Sequence, residues 1–152
     1  MSRLLSDLSP RCLDLFNKFK VVLDQADIKF VVVFTKRTVA EQIALFAQGR
    51  QAYDAVNQLR GEAGLPPLQH PQENVIITQV DGIHKISHHQ TGDAFDLTFA
   101  DGNGDPYYPN DPVRWFALGN MAESVGLDWG GRFQPLDKNG LGWDPDHFEV
   151  NV

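Results

Sequence analysis

Between Ala94 and Phe99 the sequence alternates without a break. Phe95, Leu97 and Phe99 fall on one side of an extended chain, and Ala94, Asp96 and Thr98 on the other. That period fits a strand, because helical turns would scatter the large apolar side chains around the axis. The end of the sequence repeats the pattern, with Phe148 and Val150 on one face and His147 and Glu149 on the other. Both segments set ligand-type side chains on the face away from the aromatic residues. If the strands pair, the carboxylate of Asp96 and the imidazole of His147 project into one cleft.

The remaining elements are read from caps and periodicity. Ser9-Pro10 is an N-cap followed by proline at the first helical position. Cys12, Leu15, Phe16, Phe19, Val22, Leu23 and Ala26 then recur at helical spacing. Ile28 to Thr35 is β-branched and aromatic and predicts a buried strand. Thr38-Val-Ala-Glu41 has the spacing of a capping box, and the helix it opens runs or restarts as far as Leu59, before Gly61, Gly64 and Pro66-Pro67. A short strand is expected near Val75 to Val80. Asp111-Pro112 opens a further helix, with Trp115, Leu118, Ala122 and Val125 inward and Gly126 at its end. The expectation is one compact α+β domain over residues 1–152, with a small, mainly antiparallel sheet and about three helices.

Composition narrows the function classes. At 152 residues and 42% hydrophobic, the chain can bury a sizeable core. Its net charge of −7 counts against nucleic acid, since phosphate neutralisation needs a basic face. The single cysteine, Cys12, excludes an intramolecular disulfide and a multi-cysteine zinc site, and is expected to be a buried apolar residue. The longest purely apolar run, Phe30 to Phe34, falls far short of the ~20 residues a bilayer span needs. No secretory signal pattern opens the sequence. A monomer without stable membrane insertion, made in the cytoplasm, is expected.

His89 precedes a glycine-containing turn and can fold back as a third ligand beside Asp96 and His147. Two neutral imidazoles and a carboxylate suit a borderline divalent ion such as Zn²⁺, and three protein ligands leave a position open for water. The bland alternative stays open at this point: His84, His88, His89 and His147 as ordinary histidines, Asp93 and Asp96 as turn and cap residues. Asp101-Gly-Asn103-Gly-Asp105 has the oxygen spacing of a calcium loop, but Pro106 and Pro112 stand where an EF-hand has glycine and glutamate. A simple turn is the favoured reading of Asp101, Asn103 and Asp105 over a Ca²⁺ site.

The pattern Ser87-x-His89-x-x-Gly92-x-Ala94-x-Asp96, followed by Trp143-Asp144-x-x-His147, resembles the VanY-like zinc peptidases of bacterial cell walls. Within them it looks most like the L-alanyl-D-glutamate peptidases found as phage endolysins. Arg37-Thr38-x-x-x-Gln42, the later Gly49-Arg50, and Trp129-Gly130-Gly131 are further matches, so the likeness runs from about Thr35 onward. The first helix contributes nothing to it.

The resemblance implies roles. His89, Asp96 and His147 correspond to the ligands of one zinc ion. Asp144 corresponds to the carboxylate that handles protons, a position where some relatives carry Glu. Arg37 corresponds to the cation that polarises the scissile carbonyl or steadies the oxyanion, and Gln42 to a substrate-facing residue. Ser87 and Asp93 fall within the motif and read as supporting turn residues, with Ser87 also a substrate-binding candidate. Glu149 shares the His147 face and either orients that ring or is a solvated strand residue.

The function so implied is a zinc endopeptidase cutting the L-Ala–D-Glu bond of peptidoglycan stem peptides. It would lack a separate cell-wall-binding domain and act on the wall after release from the cell that made it. A D-Ala-D-Ala carboxypeptidase on the same metal site is the nearest rival, and a non-catalytic zinc-fold binding domain is the third reading.

Overall fold

The computed structural model describes residues 1–151. Its helices are α1 (Pro10–Gln25), α2 (Val39–Ala47), α3 (Tyr53–Glu62), the single-turn α4 (His88–Thr91) and α5 (Pro112–Ser124). Its strands are β1 (Phe30–Phe34), β2 (Ala94–Ala100), β3 (Pro106–Tyr107), β4 (Leu127–Trp129) and β5 (His147–Val150). The strands form one antiparallel sheet in the order β1-β2-β5-β4, with β3 pairing the end of β2. The α+β class with a small antiparallel sheet is as expected. Helices are more numerous than expected, because the second apolar stretch breaks after Ala47 and restarts at Tyr53, and because one turn forms at His88–Thr91.

The helix starts follow the capping logic. Ser9 Oγ accepts from the Cys12 amide, and Thr38 and Glu41 complete a reciprocal capping box. On α1, Cys12, Phe16, Phe19 and Leu23 are buried. They meet Phe95, Leu97 and Phe99 of β2, Phe148 and Val150 of β5, and Trp115, Leu118 and Ala122 of α5 in one apolar cluster. Phe148 stacks on Phe95 at 5.5 Å between ring centres and lies 5.2 Å from Phe19. The alternation of β2 and β5 therefore spends one sheet face on the core and frees the other for chemistry.

The strand expected near Val75 to Val80 does not form. The segment runs without a turn as far as Thr78 and bends at Gln79, but no neighbouring strand runs alongside it, and a lone segment without a ladder is not a strand. Side chains of the α2 region hold it instead. Gln42 Nε2 donates to the Val80 carbonyl at 2.6 Å, and Arg50 Nη2 donates to the Thr78 carbonyl at 3.0 Å. Gly49, at φ +75°, backs onto the Ile76 amide so closely that a Cβ there would sit 2.3 Å from its nitrogen. Among the described residues, no helix is long and apolar enough to cross a membrane.

Candidate metal centre

The register of β2 and β5 sets Asp96 directly opposite His147. Across a pair of antiparallel strands such residues are nearest neighbours on the same face, so period-two alternation alone brings carboxylate and imidazole together. His89 arrives from α4. Ser87 caps that turn through a reciprocal box with Gln90, and Gly92, at φ +81°, ends it in a left-handed conformation. A Cβ on Gly92 would stand 2.7 Å from the Asp7 carbonyl, so the turn needs glycine for space as well as for φ. Asp93 anchors the same corner, accepting from Ser9 Oγ at 2.5 Å and from Thr91 Oγ1 at 2.7 Å.

The three side chains converge on one point. His89 Nε2 lies 3.1 Å from His147 Nδ1 and 3.2 Å from Asp96 Oδ1, and His147 Nδ1 lies 3.1 Å from Asp96 Oδ1. A tetrahedral ion with bonds of ~2.0–2.1 Å spaces its donors roughly 3.3 Å apart, so the triangle has the size of one face of such a site. Its chemistry also fits. His89 Nδ1 lies 2.7 Å from the Thr35 carbonyl, which can only accept, so Nδ1 carries the proton and Nε2 presents a lone pair. His147 Nε2 lies 2.9 Å from Glu149 Oε2, which fixes its proton there and turns the Nδ1 lone pair inward. Two lone pairs and a carboxylate oxygen facing one another need a cation between them. Among the described residues this is the one group of three or more such side chains with metal-holding geometry.

Without a metal ion that cation is a proton. Burial works against charge on His147, yet its hydrogen bonds to Asp96 and Glu149 outweigh burial and raise the ring to about 10. Burial also opposes ionisation of Asp96, but the two histidines hold its carboxyl well below the usual range. In the metal-free chain the charged His147 contributes stability that is fully present below the ordinary histidine value near 6.5 and is lost as pH rises through about 10. A divalent ion must displace that proton. Titrating metal into metal-free protein at pH 8, in two buffers of different ionisation heat, is expected to release about one proton per ion from the site. Release of none would show that the ring was already neutral.

The cleft around this triangle has a volume of about 420 Å³. Its lining includes Arg37, Lys85, Ser87, Phe133, Trp143, Asp144 and Glu149. Arg37 Nη1 donates to Gln42 Oε1 at 2.8 Å, while its buried Nε has no hydrogen-bond partner. Burial raises Asp144 above the ordinary carboxylate range, opposed by the charges of His147, His89 and Arg37. Glu149 touches His147 as described, and His88 Nδ1 lies 3.0 Å from the same oxygen but out of line for a hydrogen bond.

Gln42 is placed differently from the expectation of a substrate-facing residue. It is fully buried, and its amide is committed to Arg37, Thr78 and Val80. Asp101, in the acidic loop, accepts from the amides of Asn103 and Asp105, closing the turn on itself.

Several contributors carried little or no sequence signal. The Thr35 carbonyl orients His89 from the main chain, where residue type says nothing. Phe133 packs 5.7 Å from the His147 ring and 5.9 Å from Trp143. Asp146 is raised to about 7 by burial and by the neighbouring carboxylates of Asp96 and Asp144. An aspartate beside a proline, close to several others, was a visible hint for it.

Trp129-Gly130-Gly131 is explained by close packing. A Cβ on Gly130 would stand 2.1 Å from the Asp144 carbonyl and 3.0 Å from His147 Cβ, and one on Gly131 would penetrate the Trp129 ring. Trp129 Nε1 in turn donates to the Pro145 carbonyl at 2.7 Å. The glycines let the loop carrying Asp144 close down beside His147. Gly130→Ala is expected to displace that loop and cut turnover by about 100-fold while the far-ultraviolet spectrum stays native, the scale of a catalytic group moved by ~1 Å. Wild-type turnover would show that the loop tolerates the shift.

Residues 81–150 match the peptidase M15 family model described as D-alanyl-D-alanine carboxypeptidase. No curated protein matches the sequence. Among solved structures, the vancomycin-resistance D,D-pentapeptidase VanY from a VanB-type cassette, in complex with Zn(II), is similar with a TM-score of 0.55 at 17% identity, over 94% of this chain and 72% of that one. The Serratia marcescens L-Ala D-Glu endopeptidase ChiX is similar with a TM-score of 0.52 at 16% identity, over 97% of this chain and 83% of that one. The LD-carboxypeptidase LdcB gives a TM-score of 0.56 at 15% identity, over 94% of this chain and 58% of that one. The chain is thus similar in sequence to peptidase M15 proteins over residues 81–150 and shares the fold of VanY, ChiX and LdcB.

Proposed function

We propose that this chain is a zinc-dependent peptidoglycan peptidase that hydrolyses the L-Ala–D-Glu bond of stem peptides, acting as a phage endolysin. The observation that carries the peptidase reading is the triangle of His89, Asp96 and His147 donors inside a cleft that also holds Arg37 and Asp144. A zinc ion held by those donors supplies Lewis acidity, which makes water a nucleophile near neutral pH and polarises a carbonyl.

The side chains do the rest. An Asp144 carboxylate oxygen takes the proton of the attacking water and returns it to the nitrogen of the leaving amine. Its raised proton affinity suits both halves of that task, since a strongly acidic carboxylate would accept poorly. The Arg37 guanidinium lines the cleft and meets the negative charge that develops on the carbonyl oxygen, and the Gln42 bond keeps it in place. Glu149 holds the His147 ring by its outer nitrogen, and Ser87 holds His89 by capping its turn.

Endopeptidase action is favoured by the shape of the cleft. A second cavity of about 310 Å³ adjoins the first and shares Ile77, Thr78, Gln79 and Trp143 with it, so a long substrate has room on past the donors. The competing D-Ala-D-Ala carboxypeptidase reading rests on the description of the matched family model. Mass spectrometry of muropeptides digested by the zinc-loaded protein separates them. Loss of the stem at L-Ala supports the proposal, release of terminal D-Ala supports the rival, and intact muropeptides contradict both.

A further inference from the structure

Much of the wall shared by the two cavities is built from the segment that fails to become a strand. Val75, Ile76 and Ile77 are 54%, 50% and 44% exposed, an unusual stretch of consecutive β-branched side chains left in water. Among the described residues, no group pairs with the amides of Ile76, Ile77, Thr78 or Gln79, or with the carbonyls of Ile76 and Ile77. The segment is nevertheless held firmly from behind. Gln48 Nε2 donates to the Glu73 carbonyl at 2.9 Å, and the Gly49 amide donates to Asn74 Oδ1 at 2.7 Å. Gln42 and Arg50 fasten Thr78, Gln79 and Val80. A turn-free main chain from Val75 to Thr78 with β-branched residues, unpaired amides and fixed ends has the properties of a sheet edge waiting for a partner.

We propose that Ile76–Gln79 is the docking edge for the substrate, and that the main chain of the stem peptide lies along it as an added strand between this wall and Trp143. This rests on the peptidase reading above and deepens it. The occupant is a peptide because the wall offers unpaired main-chain donors and acceptors at alternate residues, and because it is continuous with the cleft that holds the metal donors. Trp143, about half exposed and fixed by its Nε1 bond to the Gln134 carbonyl, lines both cavities together with this segment and offers an apolar face. The buried Gln42 and the close approach of Gly49 then have a purpose: they shape the edge from behind and touch no substrate.

The direct test is amide hydrogen exchange on zinc-loaded Asp144→Asn protein, with and without the sugar-free pentapeptide L-Ala-γ-D-Glu-L-Lys-D-Ala-D-Ala. Alternate residues of an extended chain face opposite sides, and Gly49 and Arg50 stand behind Ile76 and Thr78, so the amides of Ile77 and Gln79 are expected to exchange about tenfold or more slowly in the complex. A second measurement uses wild-type protein and the same peptide N-methylated at one amide at a time. At least one methyl is expected to raise KM about tenfold with little change in kcat, the effect of a lost main-chain hydrogen bond in binding. Unchanged exchange at saturating peptide overturns the proposal, as does protection that appears only with glycan-bearing fragments. Hydrolysis of muropeptides by wild-type protein without protection of these amides keeps the peptidase reading and removes the docking edge alone.

Discussion

Asp144→Asn is expected to abolish peptidoglycan cleavage while leaving one metal ion bound. The asparagine has nearly the same shape, so the loop pinned by Gly130 and Trp129 should stay closed. What disappears is a group that can accept a proton. General acid–base catalysis contributes about 10²–10⁴-fold, and loss of a group used in both halves of the reaction belongs at the upper end of that range. Metal content by mass spectrometry and hydrolysis of purified sacculi check the two halves of the expectation. Full activity in the variant would remove Asp144 from proton transfer. Loss of metal as well would make Asp144 part of the binding site, which the donor distances do not suggest.

His147→Ala has the second large effect and a different signature. It removes one corner of the donor triangle and leaves the Asp96 carboxylate and the Glu149 carboxylate without their shared imidazole. Removing even an outer partner of a metal ligand costs about 10–100-fold in affinity, so losing a direct ligand should weaken binding by more than about 100-fold. Activity is lost with the ion. Because His147 is buried in β5 among paired carboxylates, the variant is also less stable, and equilibrium unfolding should be recorded beside the metal assay. Wild-type zinc content in folded His147→Ala protein would defeat the assignment of that ligand.

Much of this site was legible because strand alternation is a strong geometric signal. Asp96 lies between Phe95 and Leu97, and His147 beside Phe148, so burying the aromatic residues leaves the polar ones no other face. The register that sets them opposite each other was a conditional inference, since pairing between distant segments is not written locally. His89 was harder. Its place depends on a one-turn helix between Ser87 and Gly92, too short for any periodicity, and on the Thr35 carbonyl.

The failures have the same physical root. Val75 to Val80 has strand composition, but a strand also needs a neighbour, and Gly49, Gln42 and Arg50 hold this segment away from the sheet. Gln42 was expected to face substrate because it recurs in the resemblance. A fully buried amide bonded to Arg37 and Val80 can shape the cleft as strongly as a residue that lines it. Sequence marks both kinds of residue in the same way. Only the packing tells them apart.

The central claim is that His89, Asp96 and His147 together hold one divalent ion. X-ray absorption at the zinc edge of purified, stoichiometrically loaded protein tests it most directly. The account predicts two imidazole shells with nitrogen and oxygen neighbours at about 2.0–2.1 Å and no sulfur. A zinc–sulfur distance near 2.3 Å, which Cys12 alone could supply, would contradict it, as would protein that takes up no zinc at all.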